Sequence, residues 1–274
     1  MRIDDDWCPE ALEAIKDVSG NILIASLQRK YSRAECSGFD LIASCTTGTA
    51  HIEAGDVPVI SLQGEREFLR DVWATAEHTW GLILALVRRI PFAHNDVVAG
   101  NWDRERWQGT ELRGKTLGIL GYGRVGRQVA TFARAFGMKC ICHIKGVDIV
   151  TVHVPLTDET RGMFSYREFG MMKKGAYFVN TSRGGLVDEE ALIAALETGH
   201  LAGAALDVVA GEPYACSPAL LRYAKTHSNL IITPHIAGNT LESRRKTQLF
   251  IAEKIREWQQ KLRKPPEEAA LSGG

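Results

Sequence analysis

One glycine-rich segment has the spacing of a dinucleotide-binding turn. Residues 121–126 follow a short apolar stretch at 117–120 and open a helical pattern. In such a turn the first glycine (Gly121) permits a tight bend, the second (Gly123) admits a pyrophosphate, and the third (Gly126) lets the helix pack on the strand. The helix N-terminus adds N–H donors and partial positive charge. The residues predicted to bind a dinucleotide are Gly121, Tyr122, Gly123, Arg124, Val125 and Gly126.

The elements around this turn predict an α/β fold. From Thr116 onward, short apolar strands alternate with helical patterns up to a strand at Leu230–Thr233, which is the order of a doubly wound parallel sheet. Three further apolar runs before residue 63 predict buried parallel strands of another domain. A helical pattern at Thr75–Ile90 precedes Pro91, which predicts that this helix ends there.

Charge and composition disfavour several classes of partner. The 33 Lys and Arg residues balance 33 Asp and Glu residues, so the chain has no excess positive charge that would attract nucleic acid or an anionic membrane. The longest apolar stretch, Gly81–Val87, is too short for a membrane span, and the acidic N-terminus does not resemble a signal peptide. His78, His94 and His153 lack metal-ligand spacing. We expect a cytoplasmic protein with reduced cysteines and a small-molecule partner, without a metal site.

The segment after the second strand of this series departs from the dinucleotide-binding pattern. An acidic residue about 20 positions after the glycine turn normally binds a ribose hydroxyl and selects NAD. Here that position is Gly146, and residues 142–144 are Cys-His-Ile. The next strand begins at Asp148, which leaves no room for a crossover helix.

Two interpretations of this short connection are open. Either a βα unit is absent from this chain, or the sequence at this point lacks residues that the protein contains. The second interpretation is favoured, and it predicts an acidic residue in the missing segment and a preference for NADH over NADPH. Lys145 would otherwise indicate a contact with the 2′-phosphate of NADP.

Further motifs carry a resemblance to a known family. Residues 179–185 read Val-Asn-Thr-Ser-Arg-Gly-Gly, residues 206–213 read Leu-Asp-Val-Val-Ala-Gly-Glu-Pro, and residues 233–238 read Thr-Pro-His-Ile-Ala-Gly. With His-Val-Pro-Leu-Thr at 153–157 and Ala-Thr-Ala-Glu-His at 74–78, the chain resembles the D-isomer-specific 2-hydroxyacid dehydrogenases. That family includes D-3-phosphoglycerate and D-lactate dehydrogenases and glyoxylate/hydroxypyruvate reductases.

The resemblance implies two doubly wound α/β domains. A Rossmann-type NAD-binding domain at residues 76–237 would be inserted into a flavodoxin-like substrate domain. Residues 1–75 would form the first part of the substrate domain, and residues 238–274 would form a C-terminal helix that returns to it. The implied cofactor is NAD.

Three residues have side chains that suit the reduction of a 2-oxo acid, the reaction that the resemblance implies. Reduction of a 2-oxo acid needs a hydride donor, a cation that holds the carboxylate and polarises the carbonyl, and an acid. Arg183 suits the cation because a planar guanidinium can bind a carboxylate through two hydrogen bonds. His235 suits the acid, and Glu212 can orient its ring. Each residue could instead have an ordinary structural role in a turn, a loop or the core. All three, however, lie at the ends of successive predicted elements, where open α/β sheets bind ligands.

The resemblance implies further contacts. Pro155, Thr160, Thr181 and Ser182 would line the cofactor, and Asp207 would contact the nicotinamide amide. Ordinary packing at strand ends is the alternative for these positions.

In the first domain, residues 45–49 match a loop whose backbone amides hold the substrate carboxylate. This loop adds Thr46, Thr47 and Gly48 to Arg183 and His235 as predicted substrate-binding residues. At Ala50 the sequence departs from the family pattern, which has a polar residue there.

The predicted function is an NAD-dependent oxidoreductase that interconverts a 2-oxo acid and a D-2-hydroxy acid in a cleft between two domains. One alternative is a cofactor-binding regulatory protein like the family's corepressors, although such a protein would not need His235 as an acid. Phosphite oxidation by the same three residues is another. The apolar surface of Thr75–Ile90 and Trp102–Trp107 predicts a homodimer. The sequence does not identify the substrate acid.

Overall fold

The chain forms two compact units, and the second is inserted into the first. The computed structural model describes residues 1–214 and 216–263. Unit 1 comprises Met1–Leu69 and the described part of Leu241–Gly274, and unit 2 comprises Arg70–Thr240. These limits differ by a few residues from the domain limits implied by the sequence. The part of the predicted C-terminal segment after residue 263 lies outside the described residues.

Unit 1 contains a small parallel sheet with the strand order β1-β2-β3-β4. Its strands are β1 (Arg2–Ile3), β2 (Ile22–Ile24), β3 (Leu41–Ala43) and β4 (Val59–Ile60), and its helices are α1 (Pro9–Ala14), α2 (Arg33–Cys36), α3 (Arg66–Leu69) and α10 (Leu241–Arg263). Strands β2 and β3 are fully buried, as their continuous apolar sequences predict. Helix α10 is fixed to the start of the chain, since Gln248 donates to the Asp6 carbonyl and accepts from the Cys8 amide.

Unit 2 is built on six parallel strands in the order β10-β9-β8-β7-β5-β6. The strands are β5 (Thr116–Leu120), β6 (Lys139–Ile141), β7 (Ile149–Val152), β8 (Ala176–Asn180), β9 (Leu201–Leu206) and β10 (Leu230–Ile232). The helices are α4 (Ala74–Val87), α5 (Ile90–Val98), α6 (Arg124–Ala135), α7 (Tyr166–Met171), α8 (Glu189–Glu197) and α9 (Pro218–Thr226). The order reverses at β5, and such a reversal is where open α/β sheets bind ligands.

Alternate side chains of this sheet enter two different cores. Phe178 and Ala204 belong to the core that includes Phe164, whereas the neighbouring Val179 and Ala205 belong to the core that includes Ile83. Because successive strand residues point to opposite faces, the sheet is covered on both sides. The predicted α/β class with a Rossmann-type domain is confirmed.

Pro91 begins a helix instead of ending one. Helix α4 stops at Val87, Arg89 has a left-handed backbone with φ of 55°, and Pro91 lies in the first turn of α5. Proline is tolerated there because the first-turn N–H groups have no partner within the helix. Among the described residues, no helix is long and apolar enough to span a bilayer.

The short connection between β6 and β7 is real. The sequence is continuous through residues 142–148, and these seven residues span the whole step between the two strands. They suffice because β6 and β7 lie on the two sides of β5, so the chain crosses only one strand. The favoured interpretation, that residues are missing from the sequence, was therefore wrong. The βα unit is absent from this chain.

Candidate active site

The glycine turn joins β5 to α6 as the sequence predicts. Gly121 has φ of 97°, and a Cβ there would meet the His153 backbone at 2.6 Å. A Cβ on Gly126 would lie 2.2 Å from the Gly121 carbonyl oxygen, so the helix and the turn need both glycines. At Gly123 a Cβ would meet nothing within 4 Å, and no side chain caps the first turn of α6. The turn therefore offers open space and unused N–H donors.

The other residues of this turn have different surroundings. Tyr122 is exposed and its hydroxyl accepts from Arg134, whereas Val125 packs against the core. Arg124 donates to the Val72 carbonyl oxygen at 2.7 Å, and burial lowers the pKa of its guanidinium.

Arg183 follows β8 in a tightly braced loop. The buried Asn180 side chain donates to the Arg183 carbonyl and accepts from the Ser182 amide. At Gly184 a Cβ would lie 2.0 Å from the Val209 backbone, so only glycine allows this approach. Burial lowers the pKa of Arg183, and the charge of Glu212 opposes this shift. Among the described residues no carboxylate lies within ion-pairing distance of Arg183, whose side chain donates to the Ser182 carbonyl. A charged, partly buried guanidinium is thus available to an anionic ligand.

Glu212 and His235 form a hydrogen-bonded pair. Glu212 lies in the turn after β9, and its Oε1 is 2.7 Å from Nδ1 of His235, which lies after β10. The other oxygen, Oε2, accepts from the Val209 amide. Because an ionised carboxylate only accepts, Nδ1 carries the proton in this pair. The Nε2 atom is then the nitrogen that can exchange a proton with a ligand.

A buried carboxylate fixes the backbone on both sides of His235. Asp207 is fully buried, and its oxygens accept from the Thr233 hydroxyl at 2.6 Å and from the amides of Ile236 and Ala237 at 2.9 and 2.8 Å. Burial raises the pKa of Asp207, but hydrogen bonds from His78, Thr233 and the backbone outweigh it and hold the pKa below its usual value. His235 has φ of 53°, a conformation that needs such support.

His78 belongs to the same network, although residue spacing did not predict its contacts. Its Nε2 lies 3.1 Å from the Thr233 hydroxyl and 3.3 Å from Oδ1 of Asp207. Thr233 is 155 positions away along the chain, so no local spacing could reveal the contact. The motif at 74–78 was the available signal, since it places a histidine on a helix that packs against this sheet.

The remaining predicted cofactor residues brace loops at the same edge of the sheet. The Thr160 hydroxyl donates to the Pro155 carbonyl and accepts from the Thr157 amide. Thr181 is buried and shares a hydrogen bond of 2.7 Å with Thr79 of α4. Ser182 donates to the Val154 carbonyl. Their contacts with a cofactor, like that of Asp207, stay predictions.

The predicted substrate loop lies in unit 1, after β3. The Thr46 hydroxyl donates to the Gly48 carbonyl at 2.8 Å, and the Thr46 carbonyl accepts from the Leu62 amide. Thr47 is exposed. The loop is thus held by its own hydrogen bonds, and its role toward a substrate stays a prediction.

The lowered pKa of His153 predicts that unit 2 loses stability in acid. His153 is partly buried beside Thr151, and burial lowers its pKa to about 4. The unfolded chain, with an ordinary histidine pKa near 6.5, binds a proton first, so stability is lost as pH falls from about 6.5 toward 4.

We expect wild-type protein to lose about 2 kcal/mol more than His153→Gln between pH 7 and pH 5, measured by urea unfolding. The exposed His94→Gln serves as the control. Equal losses in the wild type and His153→Gln would contradict this.

Comparison with known proteins identifies the family. The model of the D-isomer specific 2-hydroxyacid dehydrogenase, NAD binding domain, matches residues 80–147 and 142–237. D-3-phosphoglycerate dehydrogenase from Methanocaldococcus jannaschii is 35% identical over an alignment that covers 90% of this chain and 51% of that protein. Glyoxylate reductase from Aeropyrum pernix is 41% identical over an alignment that covers 66% of this chain and 62% of that protein.

A solved structure agrees over nearly the whole chain. The crystal structure of D-lactate dehydrogenase from Aquifex aeolicus, complexed with NAD and lactic acid, has a TM-score of 0.79 and 26% identity and covers 92% of each chain. The fold and the glycine turn define an NAD-binding α/β protein. The chain belongs to the D-isomer specific 2-hydroxyacid dehydrogenase family, which confirms the resemblance seen in the sequence. It spans about half the length of the D-3-phosphoglycerate dehydrogenase that it matches.

The residues of this chain fit the pyrophosphate of NAD better than they fit its adenosine ribose. The open space at Gly123 and the uncapped helix α6 suit the pyrophosphate. The end of β6 does not suit the adenosine ribose, because the residues that follow it, 142–147, include no acid. The two matched segments of the family model overlap at these same residues.

Proposed function

We propose that this chain is an NAD-dependent dehydrogenase that interconverts a 2-oxo acid and a D-2-hydroxy acid. The observation that carries the proposal is the His235–Glu212 pair at 2.7 Å, at the edge of the sheet where the Arg183 loop also lies. An oriented imidazole at the same sheet edge as a guanidinium that has no carboxylate partner among the described residues suits a substrate that carries both a carboxylate and a carbonyl oxygen.

The proposed roles follow from the atoms available. NADH, held at the glycine turn between β5 and α6, would supply a hydride to C2 of the 2-oxo acid. Arg183 holds the substrate carboxylate and polarises the carbonyl as negative charge develops on its oxygen. His235 gives the proton on Nε2 to that oxygen, while Glu212 keeps the proton on Nδ1 and stabilises the charged ring. Asp207 is a positioning residue that holds the backbone around His235.

A rate survey tests the proposal. Purified protein with NADH is offered glyoxylate, pyruvate, hydroxypyruvate and longer 2-oxo acids, and NADH oxidation is followed by absorbance. We expect turnover with at least one of these acids, and the identity of that acid gives the substrate class. Binding of NADH without turnover of any 2-oxo acid would contradict the proposal and favour a regulatory protein.

We also propose that the protein is a homodimer through an apolar surface on unit 2. Helix α5 has no buried residue, and Val98 and Trp102 are 72% and 87% exposed. This surface, which we call the α5 patch, consists of Ile90, Val97, Val98 and Trp102. Apolar surface of this kind is typical of an interface.

Light scattering at micromolar concentration is expected to give twice the mass of the chain. The variant Val98→Glu should shift the protein toward the monomer, because the interface would bury an unpaired charge. The control Tyr166→Glu replaces an exposed side chain of α7 and should stay dimeric. A monomeric wild type would remove the dimer proposal.

A further inference from the structure

The connection between β6 and β7 is short for two parallel strands of one sheet. Parallel strands are normally joined by a crossover of a dozen or more residues, usually a helix. Here residues 142–148 return directly over the face of β5. A Cβ at Gly118 of β5 would lie 2.5 Å from the His143 carbonyl oxygen and 3.1 Å from the Val147 side chain. The connection therefore depends on a glycine in the strand beneath it.

This connection is packed into the core. Val147 is fully buried in the core that includes Phe164, and Ile144 packs against the same core. The amide of Gly146 donates to the Met171 carbonyl at the end of α7. The connection thus covers part of the sheet that a crossover helix would otherwise cover.

Residues 142–147, which directly follow β6, offer no carboxylate to the ribose hydroxyls of a dinucleotide. The residues directly after β6 are Cys142 and His143, both exposed, and Lys145 is exposed two positions further on. The first acid after β6 is Asp148, which accepts from the Thr116 amide at 2.9 Å and from Lys173 at 2.6 Å. Thr116 begins β5, so this carboxylate lies at the opposite edge from the glycine turn.

We propose that this chain binds NADH and NADPH with similar affinity. An acidic residue after the second strand discriminates by accepting hydrogen bonds from the ribose diol and by repelling a 2′-phosphate. The residues after β6 are neutral or basic, so the hydrogen bonds to the ribose diol and the repulsion of a 2′-phosphate are both lost. The affinity for either nucleotide then depends on contacts with the pyrophosphate at α6 and with the nicotinamide. The inference rests on the proposed function only in that the chain must bind a dinucleotide.

Binding by the full chain tests this directly. Dissociation constants for NADH and NADPH are measured by isothermal titration calorimetry, without substrate. We expect the dissociation constants for NADH and NADPH to agree within about threefold.

Cys142 provides a matched pair of variants. Cys142→Asp places a carboxylate directly after β6, and we expect it to weaken NADPH relative to NADH by about tenfold or more. Cys142→Asn has nearly the same shape without the charge and should keep the wild-type ratio. We expect both variants to fold because Cys142 is exposed, and circular dichroism checks this.

The outcomes separate this inference from the proposed function. A wild-type preference for NADH above tenfold, or equal ratios in Cys142→Asp and Cys142→Asn, would overturn the inference and leave the dehydrogenase proposal intact. Failure of both nucleotides to bind would overturn the proposed function and this inference with it.

Discussion

Replacing Arg183 by lysine is expected to lower kcat/KM for the 2-oxo acid by about 10- to 150-fold, nearly as much as replacement by alanine. A charged hydrogen bond contributes about 1.5–3 kcal/mol, and an ammonium group cannot reproduce the two parallel hydrogen bonds of a guanidinium. Arg183 is suited to that geometry because its loop is braced by Asn180 and no carboxylate competes for it among the described residues. Steady-state kinetics with the best acid from the rate survey provides the measurement.

The control for this prediction is Arg222→Lys, which changes an exposed arginine of α9. Its kcat/KM should equal that of wild type. If Arg183→Lys also kept the wild-type value, Arg183 would not bind the substrate through two hydrogen bonds. Unchanged affinity for NADH in Arg183→Lys would show that the loss concerns the substrate.

Replacing His235 by asparagine is expected to lower kcat about 100- to 10,000-fold, the range that general acid catalysis contributes. Asparagine can hydrogen-bond to Glu212 but cannot give a proton to the substrate oxygen. Nucleotide binding should survive, because the glycine turn lies after β5 and His235 after β10. A variant with near-normal kcat would remove His235 from proton transfer.

Glu212→Gln separates the charge of the pair from its shape. Hydroxy-acid oxidation forms the imidazolium of His235 as the ring takes the proton of the substrate hydroxyl. Glutamine keeps a hydrogen bond to the ring but removes the charge that stabilises the imidazolium, so kcat for oxidation should fall. The exposed Glu197→Gln is the control and should keep the wild-type kcat. An unchanged kcat in Glu212→Gln would show that the charge of Glu212 does not support His235.

Much of the sheet and of the site could be predicted because both depend on short patterns. Buried parallel strands are continuous apolar runs, and their polar ends at Arg183, Glu212 and His235 fall at one edge of a parallel sheet by topology alone. The contact of His78 with Thr233 could not be predicted, because it joins a helix and a strand end that are distant in the chain.

Two local features could not be predicted from the sequence and became clear only in the structure. Pro91 fits either the end of one helix or the first turn of the next, and only the left-handed backbone at Arg89 decides between them. The connection at residues 142–148 contradicted the rule that a parallel crossover needs about a dozen residues. That rule assumes that the chain returns over the face of the sheet through a helix. Here Gly118 leaves space for the backbone to pass directly over β5.

Transfer of deuterium from cofactor to product shows whether this chain moves a hydride between NADH and a 2-oxo acid. The protein is incubated with NADH that carries deuterium at the transferred C4 position and with the best 2-oxo acid of the survey. We expect a D-2-hydroxy acid with deuterium at C2, one for each NADH oxidised, and a greatly reduced yield with His235→Asn. Oxidation of NADH without deuterium at C2, or an L-hydroxy acid as product, would show that the chain does not interconvert a 2-oxo acid and a D-2-hydroxy acid by hydride transfer.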